Sequence, residues 1–272
     1  MKIGILSDIH VDINASGGMD RVTPQLCSFI SEQQLDLFIT AGDIASNYLL
    51  TLKAVEELEK NTGIPCLFVP GNHDIWTEHH PAMTSWDIYR ELQKHPHNLA
   101  SGPYDIDNNY TVVGDLGWYD YRFGSSSCTV HEYDRMQYDG RVWQDSIMAR
   151  WDRSTLDMHS YFLEKIEKQL SEVKDKNIIL VTHVLPIEEF TVQNPPPLWQ
   201  YLNAFMGSPE YGKLTEKYPS VKYSISGHVH YRKKQIKHGT TFICSCLGYA
   251  SEWAGTTDPA VEIPKAVTII EI

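Results

Sequence analysis

Long hydrophobic runs are missing from this sequence of 272 residues. No stretch of about 18 apolar residues occurs, so no membrane-spanning helix is expected. The apolar start Ile3-Gly4-Ile5-Leu6 is cut short by Ser7-Asp8, too early for a secretory signal. Basic residues are scarce as well: 23 Lys and Arg stand against 35 Asp and Glu, a net charge of -12. That balance opposes long-range attraction to a nucleic-acid backbone, and duplex nucleic acid is not an expected partner. It still allows a phosphate to be held at a locally positive spot. Cysteine is sparse and odd in number, at Cys27, Cys66, Cys128, Cys244 and Cys246. Without a secretory signal, this usage points to reduced thiols in a cytoplasmic protein. Cys244-Ser245-Cys246 has the spacing of a soft metal site. Its segment alternates like a strand, however, and buried thiols acting as small hydrophobes fit it better. Internal repeats and low-complexity tracts are absent.

Hydrophobic residues make up 42% of the chain, enough for a substantial core. The expected organisation is one domain over residues 1–272 with an irregular insertion at about 118–152, on the side where substrate would enter. The first part reads β-α-β-α-β: strands at Ile3 to Leu6, Leu37 to Ile39 and Leu67 to Val69, helices at about Pro24 to Gln34 and Tyr48 to Lys60. Thr62-Gly63 ends the second helix. Such alternation implies parallel pairing with right-handed crossovers. Val112-Val113 is a further short strand. Residues 118–152 are dense in Trp, Tyr, Asp, Arg and Gly without clear period. Leu156, His159, Leu163, Ile166, Leu170 and Val173 then recur at intervals of three and four, the mark of an amphipathic helix. Ile178 to Val181 is a strand, Pro195-Pro196-Pro197 a rigid loop, and Ser208-Pro209 a helix start. The end is strand-rich: Lys222 to Ser226, Gln235 to Ile236, Thr241 to Cys246 and Ala266 to Ile270, with Gly239 in a hairpin turn.

Five of the buried strands end in short polar motifs: Asp8-Ile9-His10, Gly42-Asp43, Gly71-Asn72-His73-Asp74, Thr182-His183 and Gly227-His228-Val229-His230. In an α/β sheet, the C-terminal strand ends form the edge where ligands bind. Carboxylate, imidazole and amide oxygen together form a ligand set for divalent metals. Asp8 and His10, two apart on an extended chain, would point the same way. His228 and His230 leave a glycine and can splay toward two neighbouring cations. A carboxylate such as Asp43 can bridge two metals. Each motif alone says little, since Gly-Asp is frequent in turns and a lone histidine after a strand is commonly a hydrogen-bonded core residue. All five together at successive strand ends are hard to explain otherwise.

At this point the chain resembles the calcineurin-like metallophosphoesterases, and in particular their small bacterial phosphodiesterases. The likeness runs from Met1 to about Gly248, with the five motifs in family order. It implies a four-layer αββα sandwich of two mixed β-sheets flanked by helices. It places Asp8, His10 and His230 on one metal, Asn72, His183 and His228 on a second, and Asp43 between them. His73 becomes the catalytic histidine, beside the substrate and not a ligand. The implied cofactor is a pair of Mn, Fe or Zn ions about 3.5–4 Å apart, and the implied reaction is attack of a metal-bridging hydroxide on a phosphoester. Two divalent ions, two carboxylates and one hydroxide would leave a single positive charge in an otherwise acidic protein. A protonated His73 would serve the leaving oxygen.

The sequence departs from the protein phosphatases of that superfamily. They carry Gly-Asp-x-x-Asp-Arg-Gly, where this chain has Gly42-Asp43-Ile44-Ala45-Ser46-Asn47-Tyr48. The phosphate-binding Arg is absent. Ser46 replaces the Asp that would orient the histidine, leaving Ser46 and Asp74 as candidate partners of His73. This favours a phosphodiester, of a small molecule or nucleotide, as substrate. A phosphomonoester or single-stranded nucleic acid is the alternative on the same site, and a metal-binding interaction scaffold is the non-enzymatic one. Candidate substrate contacts are Asn72 and His73, with Trp118, Tyr119 and Asp120 as walls. As walls they compete with a stronger reading, in which those aromatics pack the insertion onto the core. Arg122, Arg135, Arg141 and Arg150 are the insertion's candidate phosphate contacts.

Overall fold

The computed structural model describes all residues, 1–272. The first part runs β1 (Lys2–Leu6), α1 (Val22–Glu32), β2 (Leu37–Thr40), α2 (Tyr48–Thr62), β3 (Cys66–Phe68), α3 (Ser85–Leu92), β4 (Tyr104–Asp105) and β5 (Tyr110–Asp115). Residues 118–152 contain α4 (Val130–Asp134), a small hairpin of β6 (Gln137–Tyr138) and β7 (Arg141–Val142), and α5 (Asp145–Met148). The chain closes with α6 (Thr155–Glu172), β8 (Asn177–Thr182), α7 (Pro197–Leu202), α8 (Pro209–Lys217), β9 (Val221–Ser226), β10 (Arg232–Lys237), β11 (Thr240–Ser245), α9 (Pro259–Ala266) and β12 (Thr268–Glu271).

Two mixed sheets result. One has the order β12-β1-β2-β3, the other β10-β11-β9-β8-β5-β4. The inner pairs are parallel, and the antiparallel ones lie at β12, β10 and β4. Ile3, Ile5, Ile39 and Leu67 of the first sheet meet Val112, Ile179, Val181 and Ile225 of the second in a dry layer between them. On the outer face of the first sheet, Phe38 and Phe68 pack with Leu26 and Ile30 of α1 and Val55 and Leu58 of α2. On the other side, Ile178 and Leu180 pack with Ile166 and Leu170 of α6 and Leu214 of α8. Burying each such side chain is worth about 1.5–3 kcal/mol. This is the four-layer arrangement of two mixed sheets flanked by helices. It brings the C-terminal ends of β1, β2, β3, β8 and β9 to one edge.

Local chemistry explains where elements begin and stop. Asn47 caps α2 by accepting from the Leu49 N–H at 3.0 Å, and Gly63, at φ 74°, ends it. His238 and Gly239 take φ of 50° and 84° between β10 and β11, as a two-residue hairpin turn with two left-handed positions requires. In α6 the buried stripe is Met158, His159, Phe162, Ile166 and Leu170, whereas Leu156 is exposed. The expected stripe therefore sits about one residue out of phase in the first turn. Four helices escape the sequence pattern. Two are the short α4 and α5, inside the stretch read as irregular. A third is α3, announced only by the reciprocal Thr84–Asp87 cap. The fourth is α9, which carries Pro264 and delays the last strand to Thr268. No helix is long and apolar enough to cross a membrane. Cys244 and Cys246 are buried thiols with sulfurs 3.6 Å apart, and neither joins a cluster of metal-ligating side chains.

Candidate metal centre

Asp8 and His10 do not lie on an extended chain. Beyond β1 the backbone turns, and both residues take left-handed φ, 52° and 46°. Asp43, His228 and His230 do the same, at 53°, 76° and 55°. A non-glycine residue in that region costs roughly 1–2 kcal/mol. The loops hold it through one another: Asp8 N–H donates to Gly42 O at 2.9 Å, His10 N–H to Asp43 O at 3.1 Å, and Gly227 N–H to His183 O at 2.8 Å. Two carboxylates are pinned in the same way. Asp8 accepts from Ser7 Oγ at 2.6 Å and from His228 N–H at 3.0 Å. Asp43 Oδ1 accepts from His73 N–H at 2.8 Å, which turns Oδ2 toward the histidines. Gly71 permits this approach, since a Cβ there would lie 2.1 Å from Asp43 Oδ1.

Asp8, His10 and His230 form one convergent group of donors, Asp43, His183 and His228 a second, and His10, Asp43 and His73 a third that shares a member with each. In the first, His10 Nε2 lies 3.1 Å from His230 Nε2, which is 3.6 Å from Asp8 Oδ1. In the second, Asn72 Oδ1 lies 2.9 Å from His183 Nε2 and 3.0 Å from His228 Nδ1. Asp43 Oδ2 stands between the groups, 3.4 Å from His183 Nε2 and 3.9 Å from His10 Nε2.

The donors are aimed from outside. His183 Nδ1 donates to Ala41 O at 2.8 Å, His228 Nε2 to Phe205 O at 3.1 Å, and His230 Nδ1 to Glu252 at 2.9 Å. Each neutral ring then presents a lone pair inward. His183 Nε2 and His228 Nδ1 are only 3.1 Å apart, so two lone pairs would face each other unless a proton or a cation lies between them. Donors that share a cation about 2.0–2.2 Å from each stand about 3–3.5 Å apart. The residues therefore fit a pair of divalent ions. Without a cation the proton takes that role. Burial works against the His183 charge, but the adjacent Asp43 carboxylate overcomes it and raises the pKa to about 10. His228 is driven the other way, to about 3, by burial and then by the His183 charge.

His73 sits next to both groups and converges with one member of each, His10 and Asp43. Its Nε2 is 3.9 Å from Asp43 Oδ2, its ring stacks on Trp76 with centroids 3.6 Å apart, and its Nδ1 lies 3.3 Å from Ser46 Oγ. Of the two partners considered for His73, Ser46 is in reach. Asp74 instead turns inward to bind Gly71 N–H, Ile44 N–H and the Thr51 hydroxyl.

A cavity of about 450 Å³ opens above these donors. Trp118, Tyr119 and Asp120 do not line it. Trp118 and Tyr119 are buried and stacked on each other, and Asp120 pairs with Arg122 and Ser208. The insertion reaches the cavity through Arg141, Val142, Trp143, Gln144 and Asp145 instead. Of its four arginines only Arg141 lines the cavity. The residue that sequence reading missed is Asp145. It is buried, and it accepts from Asn72 Nδ2 at 2.9 Å, Trp76 Nε1 at 2.7 Å, Trp143 Nε1 at 2.9 Å and the Tyr119 hydroxyl at 3.2 Å. Glu252 was missed as well.

Comparison with known proteins gives the family and the fold. A family profile described as calcineurin-like phosphoesterase matches residues 1–232. Among solved structures, the chain is similar to a phosphopantetheinyl hydrolase from Mycobacterium tuberculosis, at 17% identity over 95% of this chain and 94% of that one, with a TM-score of 0.74. A protein from Thermus thermophilus follows at 15% identity over 90% and 88%, TM-score 0.56. A dimetal phosphatase from Danio rerio shows 13% identity over 89% and 86%, TM-score 0.54. At these identities the likeness is one of fold. The search of curated proteins found no match.

Proposed function

The chain belongs to the calcineurin-like phosphoesterase family and is a metal-dependent phosphoric ester hydrolase, and from that premise we propose that its substrate is a phosphodiester, hydrolysed at a dinuclear centre. In this reading Asp8, His10 and His230 hold one ion, Asn72, His183 and His228 the other, and Asp43 both. When bound, such a pair lowers the pKa of a shared water and offsets the charge of phosphate oxygens.

The protein's own groups do the rest. Asp43 Oδ2 lies between the donor groups because Oδ1 is tied to the His73 amide. His73 stands at the cavity wall, held by Trp76 and by Ser46. From there a protonated Nε2 can give its proton to the departing ester oxygen, a step worth about 10²–10⁴-fold. The observation that favours a diester is the charge of the cavity outside the proposed ligands: Arg141 is its one cationic Lys or Arg side chain, against the carboxylates of Asp145 and Glu252. A monoanionic diester suits such a wall better than a dianionic monoester. Mn, Fe and Zn all suit the mixed nitrogen and oxygen donors.

The test is turnover of an aryl phosphodiester against the matching monoester by the purified protein with added Mn²⁺. Diester preference is expected, with activity lost in Asp43→Ala and His183→Ala. Preference for the monoester, or undiminished turnover in both variants, would refute the reading.

A further inference from the structure

One side of the cavity above the donors is apolar, and nothing in the chemistry so far uses it. Trp143, Trp199, Leu202, Met206 and Val229 line it, from three separate segments: the link between β7 and α5, helix α7 with the turn after it, and the His-Val-His loop. Trp143, Trp199, Leu202 and Val229 are only half-buried, so their apolar surface is open to a ligand. The wall is also stiff. The Trp143 indole donates to Asp145 at 2.9 Å and stacks on Phe205 with centroids 5.3 Å apart and planes 14° apart. Its edge meets His228, with centroids 5.8 Å apart. Trp199 stands on a helix that starts with Pro197, directly after Pro195 and Pro196. A preformed cleft with an apolar wall and a few convergent polar groups is the usual form of a small-molecule site.

We propose that the substrate is a phosphodiester with one apolar ester arm, alkyl or aryl, which lies between Trp143 and Trp199 while its phosphate faces the Asp43 and Asn72 side of the cavity. This inference rests on the phosphodiester reading and names the chemistry of its second arm. The wall is ill-suited to a polynucleotide, whose next phosphate would meet Trp199 and Leu202 rather than cations. Hydrolysis is then balanced simply: a water oxygen bonds to phosphorus, the P–O bond to the better leaving group breaks, and a monoester and an alcohol or phenol are released. The other arm stays in the cleft through the reaction.

The experiment uses the purified full chain with Mn²⁺ and a series of alkyl p-nitrophenyl phosphates with methyl, butyl, hexyl and octyl arms, alongside thymidine 5′-(p-nitrophenyl phosphate). Each methylene that enters the cleft is worth about 0.8 kcal/mol, or about fourfold in kcat/KM. A climb of that order from methyl to hexyl is expected, as is hexyl above the nucleotidyl ester. In Trp199→Ala the hexyl-to-methyl ratio shrinks by on the order of tenfold; being a ratio, it is indifferent to the fraction of variant that folds. A flat chain-length profile, or a nucleotidyl ester preferred over hexyl, overturns the inference and leaves the diester reading standing. No turnover of any diester overturns both.

Discussion

Asn72 donates its side-chain amide to the buried carboxylate of Asp145 at 2.9 Å. That bond decides which end of the Asn72 amide faces the centre: with the nitrogen engaged, Oδ1 points at His183 and His228. The same carboxylate accepts the indoles of Trp76, which backs His73, and Trp143, which walls the cavity. An asparagine at 145 keeps the shape but turns one acceptor into a donor, so that an N–H faces an N–H in either orientation. Asp145→Asn is expected to lower metal affinity by on the order of 10–100-fold and stability by about 1–3 kcal/mol. Metal titration by calorimetry and urea unfolding of the metal-free protein measure the two. Unchanged affinity would show that the bond only serves packing.

Glu252 acts on the other donor group. It accepts from His230 Nδ1, whose opposite nitrogen faces His10 and Asp8. In the proposed assignment that group holds one ion alone. Glu252→Ala is expected to weaken one of two binding events by about tenfold or more, leaving the other in place. The titration should change from one phase to two. A uniform weakening of both would contradict the division of ligands.

These two carboxylates show where sequence reading stops. The motif loops are legible because each follows a buried apolar run, and their order along the chain mirrors the strand ends that share an edge. Ser46 could be weighed from its place three residues after Asp43. Asp145 lies 73 residues from Asn72 and Glu252 lies 22 from His230, in segments without hydrophobic period. Only tertiary packing makes them neighbours. Trp118 and Tyr119 show the converse, since an aromatic cluster near a strand end is compositionally the same whether it faces substrate or core. The left-handed backbone at Asp8 and His10 was also hidden, because nothing in Asp-Ile-His signals φ above zero.

Gly71 gives a prediction of close approach. A Cβ at this position would lie 2.1 Å from Asp43 Oδ1 and 2.3 Å from the Asp43 backbone nitrogen. The first ends a side chain held by the His73 amide and the second is backbone, so the β2 loop itself must shift. Gly71→Ala is expected to cost roughly 1–3 kcal/mol and to abolish turnover. Gly63→Ala is the control: its φ is 74° with nothing within 4 Å of the added Cβ. It should lose about 1–2 kcal/mol from backbone strain alone and keep full activity. Normal activity in Gly71→Ala would mean that the loop tolerates displacement of Asp43.

Metal binding should compete with a proton. In the metal-free protein, burial disfavours a charge on His183, but the Asp43 carboxylate prevails and holds the proton up to a pH of about 10. A cation needs the neutral ring, so loading must expel that proton. The sign follows directly: below pH 10 the protonated form dominates, and each unit of falling pH weakens apparent affinity about tenfold through this group alone. Between pH 8 and pH 6 the loss should reach about 100-fold, whatever other ligands add. Calorimetry in buffers of different ionisation enthalpy, run at pH 8, should register close to one proton released through His183 as the Asp43 group fills. Binding with no proton release, and affinity level between pH 6 and pH 8, would mean that His183 is already neutral and that something other than a proton separates it from His228.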